Sequence, residues 1–264
     1  MSKYRHLAAL GSSFAAGPGI APIVDSRAMR SGRNYAHVLA EALNAELTDL
    51  TVSGATTETI VDKEQRLLWR KFRPQLEGLP ADADLVTITA GGNDLSYIGS
   101  MLRLAWANRL RARRWSRIIG DVVGRKGLPE IGPADVKGAA SGLARVVESV
   151  RARAPQARIL LVDYLTVMGD QTAFTSETPF GPVEVAAFRD LAKQLALAFG
   201  NAAATTGAEL VRASELSADH ALGSADPWVL GLQPSPFGST GASFHPNAAG
   251  MRAVAAEIHR LVVE

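Results

Sequence analysis

The chain has 264 residues, 47% hydrophobic and 20% charged, with 28 basic against 26 acidic side chains and no cysteine. The length supports a full hydrophobic core, and a net charge of +2 is too small for a dedicated nucleic-acid binder. The absence of cysteine excludes a disulfide framework, a zinc-thiolate site, an iron–sulfur cluster and a thiol nucleophile.

The first apolar run, His6–Leu10, predicts a buried strand that stops in a tight turn at Gly11-Ser12-Ser13 and continues as a loop through Gly17-Pro18-Gly19. Between Asn34 and Glu46, Tyr35, Val38, Leu39, Ala42 and Leu43 recur at helical spacing. Leu47–Val52 predicts a second strand, closed by Ser53-Gly54-Ala55. Asp84–Ala90, rich in β-branched residues, predicts a third, which ends at Gly91-Gly92-Asn93-Asp94. A long helical stretch follows, then a second helix near Pro133–Ala152. Arg158–Asp163 is the fourth predicted strand, Pro182–Ala203 a helix, Ala208–Arg212 a short fifth strand, and Pro246–Val263 a closing helix with Pro246 at its first position. Strands alternating with helices imply a parallel sheet covered on both faces, and continuous apolar runs rather than alternation agree with two-sided burial. There is no internal repeat or low-complexity linker, so a single domain over 1–264 is expected, with the helical segment 101–130 as a cap. That segment also holds the basic excess. Arg103–Lys126 carries eight basic residues against one acid, Asp121, interleaved with Trp106, Trp115, Ile118 and Ile119. It reads either as a solvated helix with an apolar seam or as a surface for peripheral contact with anionic lipid or an acidic partner.

No apolar run reaches the roughly 18–20 residues of a membrane helix. The apolar stretch in the N-terminal MSKYRHLAALGSS is too short for a signal peptide, so the expected location is cytoplasmic, with a processed secreted form as the alternative.

In an open parallel sheet, ligands bind beyond the carboxyl ends of the strands. Three small-residue clusters, at 11–13, 53–55 and 91–94, fall at such ends, and Ser243-Phe244-His245-Pro246-Asn247 precedes the last helix. Each cluster alone is ordinary turn or capping chemistry; their ordered combination is more specific. It resembles the SGNH hydrolases, also called GDSL esterases and lipases. Gly11-Ser12-Ser13-Phe14-Ala15-Ala16-Gly17 is similar to the first family block, Gly54 to the second, Gly91-Gly92-Asn93-Asp94 to the third and His245-Pro246 to the last. Asp226-Pro227-Trp228-Val229 and His245–Gly250 further resemble the actinobacterial lipase branch.

The resemblance implies an α/β fold, a three-layer α/β/α sandwich around a five-stranded parallel sheet of flavodoxin-like type, and a serine esterase or lipase with neither cofactor nor metal. Ser13 is the implied nucleophile and His245 its base. The backbone N–H groups of Ser13 and Gly54 and the Asn93 amide are the implied oxyanion hole. A serine hydroxyl needs a base to become nucleophilic, imidazole has the pKa range for that task, and the developing oxyanion needs preorganised donors. Two positions depart from the pattern. Ser12 stands where the family carries aspartate, and Ala242 where the acid of an Asp-x-x-His triad belongs. The expected substitute is a main-chain carbonyl, from Ala242 or Ser243, giving a Ser–His dyad, with Asp226 in reserve. Phe174, Phe180 and Trp228, with Leu232 and Phe237, are expected to line an apolar pocket for a small-molecule or lipid ester. The rival readings are a non-catalytic binding protein on the same scaffold and an acyltransferase.

Overall fold

The structure, a computed structural model, describes residues 3–67, 70–233 and 239–264. In chain order, β1 (His6–Gly11) runs into a single helical turn, α1 (Ser13–Ala16). A small antiparallel ribbon, β2 (Ile23–Asp25) with β3 (Arg30–Ser31), leads to α2 (Tyr35–Leu43) and β4 (Glu46–Asp49). Next come α3 (Thr57–Val61), a second ribbon of β5 (Gln65–Leu67) with β6 (Arg70–Phe72), and β7 (Leu85–Thr89). The remainder comprises α4 (Tyr97–Arg111), α5 (Arg117–Val123), α6 (Pro133–Arg153), β8 (Arg158–Val162), α7 (Pro182–Thr206), β9 (Glu209–Val211), α8 (Ala213–Leu216) and α9 (Ala248–Val263).

The central sheet has five parallel strands in the order β4-β1-β7-β8-β9. Every residue of β7 is buried, as are all but the first of β1 and of β8, which explains the unbroken apolar runs. Right-handed crossovers then sort the helices. From β1 the chain moves outward to β4 through α2, and α2 packs with α9 on one face. From β4 it reverses across β1 to β7 and continues to β8 and β9, which places α3, α6 and α7 together on the other face. This reversal makes the β1/β7 crevice the topological switch point, where open α/β sheets bind their ligands. Ser12 N–H donates to the Thr89 carbonyl at 2.9 Å, so the loops after β1 and β7 leave the sheet side by side at that crevice.

The two long helices α6 and α7 start alike. Gly132-Pro133 and Gly181-Pro182 are each followed by an acid, Asp135 or Glu184, whose carboxylate accepts the glycine N–H at 2.8 Å. On α7, Val185, Phe188, Leu191, Leu195 and Phe199 form one buried stripe.

The differences from the sequence expectation have local causes. The chain after Ser12 is helical from Ser13 rather than a loop, and Gly17, at φ 71°, ends that turn. The long stretch after Asp94 is broken into α4 and α5, because Ser116 Oγ donates to the Leu110 carbonyl and the chain folds back there. Pro246 lies outside α9. The Asn247 side chain caps that helix by accepting from Ala249 N–H and Gly250 N–H, so helical geometry begins one residue after the cap. The two ribbons and α3 are too short to give a periodic signal.

Candidate active site

Ser13 is the first residue of α1, with Ser12 in extended conformation as its cap. This strand-to-helix junction needs a residue that tolerates both a positive φ and contact with the neighbouring strand. Gly11 sits at φ 148°, and a Cβ there would run into the Thr89 carbonyl. Gln75 fixes the same residue from outside the sheet, accepting from Gly11 N–H at 2.8 Å and donating to its carbonyl at 2.9 Å.

Across the crevice, Ser13 Oγ and His245 Nε2 are 2.7 Å apart. The other ring nitrogen, Nδ1, lies 2.8 Å from the Ser243 carbonyl. A carbonyl oxygen only accepts, so Nδ1 carries the ring proton, and Nε2 is left bare to accept from the Ser13 hydroxyl. Of the two carbonyls expected to orient the imidazole, that of Ser243 is the one within reach of the ring. The Ala242 carbonyl instead accepts His245 N–H at 3.2 Å. Burial pulls the His245 pKa down from 6.5 to about 4, opposed by the Ser243 carbonyl. The ring is therefore neutral at physiological pH.

The histidine segment is held by a backbone feature that the sequence does not advertise. Phe244 has φ 60°, a conformation that costs a bulky residue about 1–3 kcal/mol. Its N–H donates to the Leu230 carbonyl, Leu230 N–H donates to the His245 carbonyl, and its ring packs 5.6 Å from that of Phe180. Phe180, expected to touch substrate, is 1% exposed and also packs against Phe188; it supports Phe244 and offers no surface to a ligand.

The donors expected at the oxyanion position come from two further strand ends. Gly54, at φ 82°, follows β4, and neither its N–H nor that of Ser13 has an acceptor among the described residues. Asn93 follows β7, and its Nδ2 donates to the Ala55 carbonyl at 2.8 Å, leaving the second N–H of the amide to point elsewhere. The neighbouring Asp94 accepts from both Thr57 N–H, at 3.2 Å, and Thr57 Oγ1, at 2.6 Å. Asn93 and Asp94 thus strap the loop after β7 onto the loop and helix after β4.

A further strap starts from Ser12, the residue standing where the family pattern has aspartate. Ser12 Oγ is 2.8 Å from Tyr164 Oη, which accepts Gly92 N–H at 3.2 Å. Position 92 must be small, because a Cβ there would lie 2.7 Å from the Tyr164 ring. Tyr164, Gln75, Thr57 and Asp94 escaped sequence reasoning as positioning residues. They meet their partners across 37 to 152 residues of chain, and no spacing rule links them.

Among the described residues, none of the remaining candidates hydrogen-bonds to Ser13, Asn93 or the His245 ring, although the Trp228 carbonyl accepts Asn247 N–H at 2.9 Å beside the histidine segment. Asp226 is turned toward His220: its carbonyl lies 2.8 Å from His220 Nδ1, and its carboxylate is 3.4 Å from Trp228 Nε1. Trp228 stacks on His220 at 3.7 Å. Phe174 is 70% exposed, Leu232 is buried in the core, and Phe237 lies outside the described residues. His6 pairs with Thr48, and His37 with Asn34 and Asp49. Among the described residues no group of three His, Asp or Glu side chains is placed to hold a metal ion. None of their helices is long and apolar enough to cross a membrane.

Comparison with known proteins identifies the family and the fold. The model of the GDSL-like lipase/acylhydrolase family matches residues 9–253. A curated relative, Lipase 2 of Streptomyces coelicolor, is 34% identical over 253 residues, covering 94% of this chain and 82% of the relative. Among solved structures, an extracellular lipase from Streptomyces rimosus superposes with a TM-score of 0.72 at 22% identity, over 97% of this chain and 99% of that one. Phospholipase A1 from Streptomyces albidoflavus gives 0.71 at 22% identity, over 94% of each chain.

Proposed function

Because this chain belongs to the GDSL-like lipase/acylhydrolase family and is a carboxylic ester hydrolase, we propose that it works through an acyl-enzyme on Ser13, generated by a Ser13–His245 dyad without a triad acid. The observation that carries this reading is the 2.7 Å contact between Ser13 Oγ and a His245 Nε2 whose partner nitrogen is committed to the Ser243 carbonyl.

In the first step Ser13 Oγ attacks the ester carbonyl carbon while its proton passes to Nε2. The carbonyl oxygen becomes an oxyanion, met by Ser13 N–H, Gly54 N–H and the free N–H of Asn93. The tetrahedral species collapses, the bond to the alcohol oxygen breaks, and Nε2–H delivers the proton to the departing alkoxide. Water then repeats the cycle on the acyl-enzyme and frees the acid. The Ser243 carbonyl stabilises the transient imidazolium with a dipole where a triad aspartate would supply a full charge. The names of the Streptomyces relatives favour esters of apolar acyl chains, lipids included. A pre-steady-state burst of p-nitrophenol from p-nitrophenyl acetate, equal to the concentration of enzyme, tests the acyl-enzyme step.

Two outcomes separate a dyad from a triad. Asp226→Asn is expected to leave kcat/KM within about threefold of wild type, whereas loss of a true triad aspartate costs roughly 10⁴-fold. The pH profile gives the second. Protonation of His245 removes the base, so kcat/KM holds level down to about pH 5 and falls through the His245 pKa of about 4. An acid limb centred near 6.5 contradicts the neutral, carbonyl-oriented ring. Because the folded pKa lies below the unfolded value of 6.5, the unfolded chain binds the extra proton first. The stability tied to this group is complete above pH 6.5 and is lost as the pH drops toward 4. Circular dichroism at each pH keeps unfolding apart from titration.

For location, the cytoplasmic reading of the N-terminal segment stands against the extracellular description of the S. rimosus neighbour. Antibody detection in cell and medium fractions of the native host distinguishes them.

A further inference from the structure

Helix α5 is packed with its small side facing in. Ser116, Gly120 and Gly124, spaced four residues apart, face α4. A Cβ on Gly120 would lie 2.7 Å from the Ala107 carbonyl and 2.8 Å from Arg111 N, so no larger residue fits that seam. The opposite face carries Ile118, Ile119 and Val122, and Trp115 in the turn just before the helix extends them to the i, i+3, i+4, i+7 spacing that normally marks a core-facing stripe. Here that stripe is in solvent: the four residues are 76%, 80%, 53% and 59% exposed. Arg113, Arg114, Arg117, Arg125 and Lys126, within α5 or flanking it in the chain, are all exposed and without a carboxylate partner among the described residues. The one acid of the segment, Asp121, is already bound by Arg111 at 2.9 Å.

We propose that this face docks the protein on an anionic phospholipid surface. Exposed large apolar side chains in one short segment with five unpaired cations suit the boundary between acyl chains and negatively charged headgroups. The same cluster disfavours a second copy of this chain, since pairing two such segments would bring five cations against five. α4 connects the patch to the site: it starts three residues after Asp94 and is tied by Asn108 Nδ2 to the Pro179 carbonyl, beside Phe180. Docking stands on the surface alone. That it brings lipid esters to Ser13 rests on the hydrolase reading.

The test measures sedimentation of the Ser13→Ala protein with vesicles, so that lipid hydrolysis does not interfere and a failure of the catalytic reading leaves the result intact. Binding is expected to phosphatidylcholine vesicles containing phosphatidylglycerol and to be much weaker for phosphatidylcholine alone. Arg113→Gln/Arg114→Gln/Arg117→Gln is expected to lower partitioning on the order of 100-fold at low salt, about fivefold per cation. Trp115→Ser/Ile118→Ser/Ile119→Ser is expected to lower it roughly tenfold or more. The same substitutions in the active chain should leave p-nitrophenyl acetate hydrolysis and thermal unfolding unchanged, which shows that the fold is intact. No binding to anionic vesicles, equal binding to neutral and anionic ones, or full binding by either variant overturns the proposal. So does concentration-dependent dimerisation abolished by the apolar variant in a protein that ignores vesicles.

Discussion

Ser13→Ala is expected to lower kcat for p-nitrophenyl esters on the order of 10⁶-fold, leaving only the rate that substrate binding and the oxyanion donors sustain by themselves. The only hydrogen-bond partner of the hydroxyl among the described residues is His245, and alanine suits a helical position, so the fold should survive the change. His245→Ala is expected to cost a similar factor, since an unassisted serine hydroxyl is a poor nucleophile. The double variant is the more informative measurement. Two groups that act as one unit are not additive, and the double variant should be no slower than either single one by more than a small factor. Losses that multiply would mean that serine and imidazole serve separate functions, and the 2.7 Å contact would then be incidental to the chemistry.

Asn93→Ala is the second large effect. If Asn93 is the oxyanion donor of the proposed mechanism, its removal costs about 10²–10³ in kcat, roughly 3–4 kcal/mol, with KM little changed, since such a donor meets charge present only in the transition state. Asn93 also donates to the Ala55 carbonyl, and its loss leaves that carbonyl unpaired on a loop still held by Asp94 and Thr57. A modest loss of stability, about 1–3 kcal/mol, is therefore expected beside the kinetic loss. Asp94→Asn separates the two effects: it weakens the strap while keeping the Asn93 amide. If Asp94→Asn slows turnover as much as Asn93→Ala does, with the same fall in thermal stability, Asn93 acts by holding the loop and not by meeting the oxyanion.

The sequence revealed the strands because they are buried on both faces, and the places where they stop because chains leave a sheet through small residues. That sufficed to put positions 13, 54 and 93 at one end of a parallel sheet. What the letters concealed are the long-range polar ties. Tyr164 is one aromatic at the end of β8 until its hydroxyl is seen between Ser12 and Gly92. Gln75, in a short turn with no periodicity, grips both backbone groups of Gly11. Ser12, a departure from the family pattern, hydrogen-bonds to Tyr164 in this chain. Phe180 is the reverse case. Its place in a loop suggested a ligand contact, yet its ring lies in the core beneath Phe244, where it supports the backbone conformation that precedes His245. Apolar residues in loops pack under the loops as readily as they line them.

The patch on α5 shows a different limit of sequence reading. Trp115, Ile118, Ile119 and Val122 have the spacing of a buried stripe, and only the inward placement of Gly120 and Gly124 shows that the stripe faces outward. Burial of a helix face is decided by which side has shape complementarity to its neighbour, and on α5 that is the glycine side.

The most direct test of the proposed mechanism is peptide mapping by mass spectrometry after brief exposure to a fluorophosphonate, run in parallel on wild type and His245→Ala. In wild type one adduct per chain is expected, on the peptide containing Ser13, and labelling is expected to slow by orders of magnitude when His245 is absent. An adduct on a different serine, or Ser13 labelled equally fast without the imidazole, would contradict the mechanism.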